Sequence, residues 1–152
     1  MRITKRTNIA MRILMFCAVH KGRLVTKAEI ADACRSSEHH LAQVVNQLAH
    51  LGYLKTLRGR CGGIELGRDA KTIKVGEVFR EIDGDARELS CFADVDDSCP
   101  LVDACRLREA LFVAVGAFYE SLDDVSLDAL ICDNSALRHI LSPGPCVSQI
   151  GL

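Results

Sequence analysis

The sequence lacks the features of exported and membrane-embedded proteins. Residues 1–10 are basic, but Arg12 interrupts the apolar positions that follow, so we expect no signal peptide. No apolar run approaches the roughly 20 residues needed to cross a bilayer. We therefore expect a cytoplasmic protein without a membrane partner. In that compartment its eight cysteines are reduced, and they serve thiol or metal chemistry instead of a disulfide framework.

The sequence also lacks a convincing catalytic constellation. No glycine-rich phosphate loop follows a predicted strand, and His39, His40 and His50 lie together on the polar face of one predicted helix. We therefore expect that the chain is not an enzyme. A redox or ligase enzyme that uses the thiols is the alternative from another functional class.

Charge is divided unevenly along the chain. Residues 1–60 carry 11 Lys and Arg against 3 Asp and Glu, a net of +8, whereas residues 61–152 carry 8 against 17, a net of −9. A basic amino-terminal part attracts a polyanion, and an acidic remainder confines that attraction to one face. Taken alone, the charge is explained equally well by an ordinary solvated surface.

Three predicted helices near the amino terminus form a helix-turn-helix. The first runs from a Thr7 cap to about His20. The second opens with the capping-box pair Thr26 and Glu29, and its inward positions are predicted to be Ala28, Ile30, Ala31 and Ala33. The third follows Ser37 and carries a core stripe at helical spacing, namely Leu41, Val44, Val45, Leu48 and Leu51. Two short helices separated by about three residues are typical of this motif.

The face of the third helix opposite its core stripe is rich in neutral hydrogen-bonding side chains. Such groups suit base edges in a major groove, whereas surface helices usually carry more Lys and Glu. Simple solvation of this face is the less favoured alternative. The residues predicted to contact DNA here are Ser37, His39, His40, Gln43, Asn46 and Gln47.

A short hairpin with a glycine-rich, basic tip follows the third helix. Residues 53–58 alternate as a strand, residues 64–66 form a second strand, and the connection contains three glycines. Glycine permits close backbone approach, and Arg58 and Arg60 supply charge for phosphates or a minor groove. A helix-turn-helix followed by a basic hairpin is a winged helix. We predict a mainly α fold with a small β-hairpin wing, and a DNA-binding domain over residues 1–82.

Three cysteines, Cys91, Cys99 and Cys105, follow with seven and then five residues between them. The segment between the first two is acidic and poor in apolar residues, whereas an apolar run after Cys105 predicts a long helix. A loop can wrap a metal while a helix holds the last ligand. Three thiolates with an open fourth position suit a sensing iron–sulfur cluster better than a closed zinc site. The alternatives are a structural zinc module and three buried cysteines acting as small apolar residues.

The long helix is predicted to start near Pro100 and to continue to about Leu122. Residues 110–119 carry no charge, so its apolar surface extends beyond one face. Such a helix needs a second partner, which a two-fold homodimer supplies. Burial against its own domain is the alternative.

Three further regions complete the predicted organisation. Residues 83–106 form the cysteine-rich cluster-binding loop. Residues 100–141 contain the dimerisation helices, the last of which runs from a Ser126 cap to about Leu141. Residues 142–152 have no core pattern and are predicted to form a disordered tail.

Several motifs resemble those of the Rrf-type winged-helix transcription regulators, over roughly residues 1–141. The resemblance implies a dimeric repressor that binds double-stranded operator DNA. It also implies that Cys91, Cys99 and Cys105 hold an iron–sulfur cluster whose state sets DNA affinity. The IscR branch has a histidine ligand three residues after the last cysteine, where this chain has Arg108. The resemblance therefore favours a [4Fe-4S] over a [2Fe-2S] cluster. The matching segments are residues 46–48, 52–54, 58–64, 66–67 and 105–111.

Two branches of this family are similar to different parts of the chain. The nitric-oxide-responsive NsrR branch has an aspartate in the first helix that reaches across from the partner subunit, and Asn8 matches it as the possible fourth ligand. The cysteine spacing and Asn8 look more like the iron-responsive RirA branch. The stretch after Cys105 and the segments 46–48 and 52–54 look more like NsrR. We expect nitric oxide as the signal, with iron or cluster supply as the alternative. Other candidates to complete the site are Asp94, Asp96 and Asp97.

Overall fold

The computed structural model describes residues 4–84 and 104–142 of the chain. Within these residues helices dominate, and one antiparallel pair of strands forms the only sheet. The mainly α fold class with a small β-hairpin is therefore confirmed. The elements in chain order are α1 (Lys5–Val19), α2 (Lys27–Cys34), α3 (Glu38–His50), β1 (Leu54–Leu57), β2 (Gly63–Leu66), α4 (Val75–Asp83), α5 (Arg106–Asp123), α6 (Leu127–Ile131) and α7 (Ser135–Leu141).

Helix α1 begins about one turn earlier than predicted. Thr4, and not Thr7, is its N-cap, because Thr4 Oγ1 accepts a hydrogen bond of 3.2 Å from the Thr7 N–H. Thr7 is buried inside the helix. Because Thr7 lies on the buried face of the helix, its side chain is not free to act as the predicted cap.

The capping box of α2 is confirmed. Thr26 Oγ1 accepts from the Glu29 N–H at 3.2 Å, and Glu29 Oε2 accepts from the Thr26 N–H at 2.7 Å. The hydrogen bond from the Thr26 backbone, followed by the contact with Arg23, holds the pKa of Glu29 below its ordinary value. The prediction that Ala28 faces inward is wrong, because Ala28 is exposed in the first turn.

The predicted core stripe of α3 forms the centre of the amino-terminal domain. Leu41, Val44, Val45 and Leu48 are buried against α1 and α2. Tyr53 is also fully buried, and the Arg68 guanidinium lies 4.4 Å from the centre of its ring. Arg68 additionally donates to the Leu51 carbonyl at 2.8 Å. These contacts fix the base of the hairpin against the end of α3.

The two strands form the predicted wing. They pair in antiparallel register from Leu54 opposite Leu66 to Leu57 opposite Gly63. Val25 adds one further bridge to the middle of the second strand. A side chain at Gly62 would overlap the Leu57 carbonyl oxygen, so the tight tip requires glycine there.

Helices α4 and α5 pack closely against each other. A side chain at Gly76 would overlap the carboxylate of Asp123, so glycine sets the close approach of the two helices. Arg80 donates to the same carboxylate at 2.6 Å, and its guanidinium lies 4.9 Å from the centre of the Tyr119 ring. The Tyr119 hydroxyl donates to the Gly84 carbonyl at 3.4 Å.

The single helix predicted from Ser126 to about Leu141 is two helices, α6 and α7. Asp133 adopts a left-handed backbone conformation with φ of 53°. Asn134 then starts the second helix, because its side-chain oxygen accepts from the Leu137 N–H at 3.0 Å. The apolar spacing continues across this break, which explains why periodicity alone predicts one helix.

Some predictions fall outside the described residues. These are nearly all of the cluster-binding loop and the tail after residue 142. The prediction that the long helix starts near Pro100 is wrong, because α5 starts at Arg106 and its N-cap residue Cys105 has an extended backbone. Across residues 4–84 and 104–142, none of the helices has both the length and the apolar character needed to cross a membrane.

Candidate DNA-binding surface and cluster site

The outer face of α3 presents most of its predicted DNA-contacting side chains to solvent. His39, Gln43 and Asn46 are exposed. His50 is also exposed, and its Nδ1 lies 2.8 Å from the Asn46 carbonyl oxygen. Because the opposite face is packed into the core, these side chains are held on a rigid helix.

Ser37 and His40 form a pair at the start of α3. Ser37 occupies the N-cap position, but its side chain makes no capping hydrogen bond. Its hydroxyl instead lies 2.9 Å from His40 Nδ1. The His39 and His40 rings are 6.1 Å apart in an edge-to-face arrangement. The first turn of α3 therefore carries an oriented imidazole.

Gln47 differs from the other polar residues of α3. Its side chain is half-buried, and its amide oxygen is buried without a hydrogen-bond partner among the described residues. Reading a base with that oxygen would require the side chain to turn outward. Gln43 and Asn46 are consequently better placed for contact with base edges.

The wing places Arg58 and Arg60 at an exposed tip. Both side chains are solvent-accessible, as is Cys61 beside them. Leu57, at the end of the first strand, is 51% exposed. The wing and the outer face of α3 belong to one domain with a net positive charge, which is the arrangement needed to contact a groove and its flanking phosphates.

A cleft between the first turn of α1 and α3 lies next to this surface. We call it the α1–α3 cleft; its volume is about 260 Å³, and it is lined by Lys5, Arg6, Ile9, His40, Gln43 and Val44. Sequence reasoning did not single out Lys5 or Arg6. In the sequence, these two residues stand out only as part of the basic amino-terminal stretch. That stretch does not indicate that they lie beside α3.

Cys105 is the one predicted cysteine ligand among the described residues, since Cys91 and Cys99 lie outside them. It is the N-cap of α5, and its sulfur accepts a hydrogen bond of 3.4 Å from the Arg108 N–H. The thiol is half-buried. The start of a helix favours an anionic ligand, so Cys105 fits the role of a thiolate that binds iron. Residues 4–84 and 104–142 contain no group of three or more metal-binding side chains.

Cys17 and Cys34 occupy a different environment, inside the amino-terminal core. Burial, and to a smaller extent Cys34, raises the pKa of Cys17 to about 12. Burial also raises the pKa of Cys34. Both groups are therefore neutral thiols at physiological pH, which makes them poor metal ligands.

Asn8, the possible fourth ligand, is exposed in the second turn of α1. The start of that helix is tied to the end of α4, because the Thr4 hydroxyl donates to Asp83 Oδ1 at 2.5 Å. Residue 84 ends the described part of the chain before the cysteine segment. The first turn of α1 therefore lies beside the point where this segment leaves the domain.

Helix α5 exposes much of its apolar surface. Leu107 is 66% exposed, Leu111 42% and Val113 70%. Only Tyr119 is buried on this helix, while Val115, Phe118 and Leu122 are half-buried against the domain. Within the described residues, the apolar side chains in the first half of the predicted dimerisation helix are thus uncovered.

The family model for Rrf2, described as an iron-dependent transcriptional regulator, matches residues 3–133. The chain belongs to the Rrf2 family. The HTH-type transcriptional regulator NsrR of Geobacillus kaustophilus is 39% identical over 142 residues, which cover 93% of this chain and 97% of the relative. NsrR of Bacillus licheniformis is 36% identical over 143 residues, covering 93% and 100%. These relatives confirm the predicted family and the NsrR-like resemblance.

Solved structures of Rrf2 regulators share the fold. CymR, the global cysteine regulator of B. subtilis, has a TM-score of 0.68 at 26% identity, covering 86% of this chain and 96% of that one. IscR of T. potens has a TM-score of 0.69 at 22% identity, covering 90% of each chain. The winged-helix fold predicted for this Rrf2 chain is therefore confirmed, and the chain is a transcription regulator of this family.

Proposed function

We propose that this chain is a dimeric DNA-binding repressor whose operator affinity is controlled by an iron–sulfur cluster that responds to nitric oxide. The observation that carries the proposal is the position of Cys105. It is the last of the three clustered cysteines, and it stands at the start of a helix with its thiol partly accessible.

Cys91, Cys99 and Cys105 would hold the cluster, with Asn8 of a partner subunit as a candidate fourth contact. Three thiolates leave one iron without a strong protein ligand, and an amide is a weaker ligand than a carboxylate. A cluster held in this way supplies iron that a small molecule can reach. The IscR branch, which holds a [2Fe-2S] cluster, has a histidine ligand where this chain has Arg108. The absence of that histidine favours a [4Fe-4S] cluster here.

DNA binding is proposed for the outer face of α3 and the wing. Gln43 and Asn46 offer amide groups that can pair with base edges, and Arg58 and Arg60 offer charge to the backbone. The exposure of all four side chains supports this division. Two such surfaces in a symmetric dimer would read two half-sites of one operator.

The proposed route from the cysteine segment to the DNA passes through two short contacts. The segment begins just after Asp83, which accepts a hydrogen bond from the N-cap residue of α1, Thr4. The first turn of α1, which follows Thr4, lines the cleft against α3. A change in the position of Asp83 would therefore shift the start of α1 relative to α3.

A titration of the cluster-bound dimer on operator DNA tests the proposal. One sample receives nitric oxide and a matched sample receives an iron chelator. We expect release at stoichiometric nitric oxide and a slow response to chelator. Indifference of DNA binding to nitric oxide would contradict the proposed signal.

An iron-responsive regulator is the second candidate. The seven-then-five cysteine spacing and Asn8 favour it. Rapid release by chelator alone, without a nitric-oxide response, would identify this function. Colour separates both candidates from a structural zinc module, because an anaerobically purified iron–sulfur protein is brown and a zinc protein is colourless.

A further inference from the structure

We propose that the α1–α3 cleft binds a backbone phosphate of the operator, with Lys5, Arg6 and His40 as its ligands. The inference rests on the proposed DNA-binding function and adds a third contact to those of α3 and the wing. It also changes the role predicted for His40, which becomes a phosphate ligand and not a reader of bases.

The charges around the cleft favour an anion. Lys5 and Arg6 form no ion pair within residues 4–84 and 104–142, and no carboxylate lines the cleft. At the other end of α1, Lys21 is paired with Asp69 at 3.2 Å. Among the described residues, the cations of the cleft are thus without a carboxylate partner, while the cation at the far end has one.

The environment of the cleft strengthens this attraction. Ile9 and Val44 contribute apolar walls, and Val44 is almost fully buried. Apolar walls exclude water on one side and lower the local dielectric, so a phosphate there interacts more strongly with nearby cations.

His40 is held in an orientation that suits a phosphate. Its Nδ1 is engaged by the Ser37 hydroxyl at 2.9 Å, which leaves Nε2 as the nitrogen for an external ligand. When Ser37 donates to Nδ1, the neutral ring carries its proton on Nε2 and can donate it to a phosphate oxygen. Ser37 is therefore a positioning residue, which explains why it does not cap α3.

The location of the cleft selects DNA as the source of the phosphate. The cleft adjoins the first half of α3, and a recognition helix in a major groove is flanked by phosphates of the backbone. Gln43 lies at the boundary of the two surfaces, because it lines the cleft and also belongs to the exposed face of α3.

Substitution of the cations tests the inference. Arg6→Gln should weaken binding to operator and to random DNA equally, by about tenfold at 0.1 M salt, and reduce the salt slope by about 0.9, as for one lost phosphate contact. Lys71→Gln is the matched control, since it removes one exposed positive charge near the opposite end of α1. Equal effects of the two substitutions would overturn the inference.

A scan with neutral methylphosphonates locates the contact. At one position in each half-site, the methylphosphonate should lower the DNA affinity of the wild-type protein. The same substitution should leave the DNA affinity of Arg6→Gln as it is on unmodified DNA. Ser37→Ala should reduce the sensitivity of that position, and Ser37→Thr should restore it because the hydroxyl is retained. The inference is overturned if wild type and Arg6→Gln share the same profile while Arg58→Ala still weakens binding. Failure of the wild type to bind operator would instead contradict the proposed function itself.

Discussion

The cysteines among the described residues differ in solvent access. Cys105 is half-buried at a helix start, Cys61 and Cys132 are exposed, and Cys17 and Cys34 are buried neutral thiols. A thiol binds iron only as an accessible thiolate. At the scale of single residues, environment therefore separates a proposed ligand from core side chains of the same type.

Removal of any one of the three proposed ligands should abolish the cluster. Cys91→Ala, Cys99→Ala or Cys105→Ala removes one iron bond, and we expect loss of the cluster absorbance after anaerobic purification. Cys34→Ala and Cys132→Ala are the matched controls and should keep the colour. Full cluster absorbance in Cys99→Ala protein would show that the ligand assignment is wrong.

Alkylation should report the difference between buried and exposed thiols. Burial keeps the pKa of Cys17 near 12, so at pH 8 this group is protonated as well as inaccessible. We expect iodoacetamide to modify Cys61 and Cys132 in the native protein, and Cys17 and Cys34 only after unfolding. Peptide mass mapping gives the extent of reaction at each site. Rapid native modification of Cys17 would mean that the amino-terminal core opens readily.

We propose that the elements of the amino-terminal domain have different roles in DNA binding. Helix α3 has one face in the core and one in solvent, and the wing has a tight, basic tip. A rigid helix can hold amide groups against base edges, whereas charges at a wing tip contact phosphates that are the same in every sequence. Each element therefore has its own experimental signature.

Substitutions in the wing and in α3 should have different effects on specificity. Arg58→Ala and Arg60→Ala should weaken binding to all DNA and flatten its salt dependence. Gln43→Ala or Asn46→Ala should cost about 1–3 kcal/mol on the preferred site and little on random DNA. Affinity measurements on both DNAs at several salt concentrations make the comparison. Equal losses on the two DNAs from an α3 substitution would refute the division.

The contact between α4 and the start of α1 should affect signalling more than cluster binding. Asp83→Ala removes the acceptor for the Thr4 hydroxyl, so we expect unchanged cluster absorbance. The difference in operator affinity before and after nitric oxide should shrink. Thr4→Ser, which keeps both the hydroxyl and the cap, is the control. An undiminished response in Asp83→Ala would exclude this route.

At the scale of the whole molecule, we propose that the exposed apolar residues of α5 belong to an interface. Among the described residues, Leu107, Leu111 and Val113 expose apolar surface in the first half of the helix, and contiguous exposed apolar surface is typical of interaction sites. A second copy of the chain supplies a matching surface by symmetry. The two DNA-binding surfaces would then have a fixed spacing.

A charge placed on this helix should separate the subunits. Val113→Glu introduces a carboxylate into the proposed interface, where burial without a partner is costly. We expect native mass spectrometry to show monomers and operator affinity to fall. Leu57→Glu is the control, because it introduces the same charge at an apolar position of the wing that is 51% exposed and lies outside the predicted dimerisation helices. This variant should stay dimeric. An intact Val113→Glu dimer would place the interface elsewhere.

Local signals in the sequence determined much of the fold. The stripe of α3, the capping box of α2 and the glycine-rich tip of the wing each depend on residues within a few positions of one another. Such signals can be recognised without knowledge of how the rest of the chain packs. They also determined the family, because the motifs of the wing and of the cysteine segment are short and local.

Tertiary packing decided what local signals leave open. The Thr4 hydroxyl bonds to Asp83 across 79 positions of the chain. Lys5 and His40 line the same cleft only because α1 packs against α3. The apolar periodicity did not predict the break at Asp133, because the apolar spacing continues across it. The left-handed backbone of Asp133 and the Asn134 cap produce the break. Periodicity specifies which face of a helix is buried but not which other element covers it. The α1–α3 cleft and, among the described residues, the exposed apolar first half of α5 therefore emerge only from the packed structure.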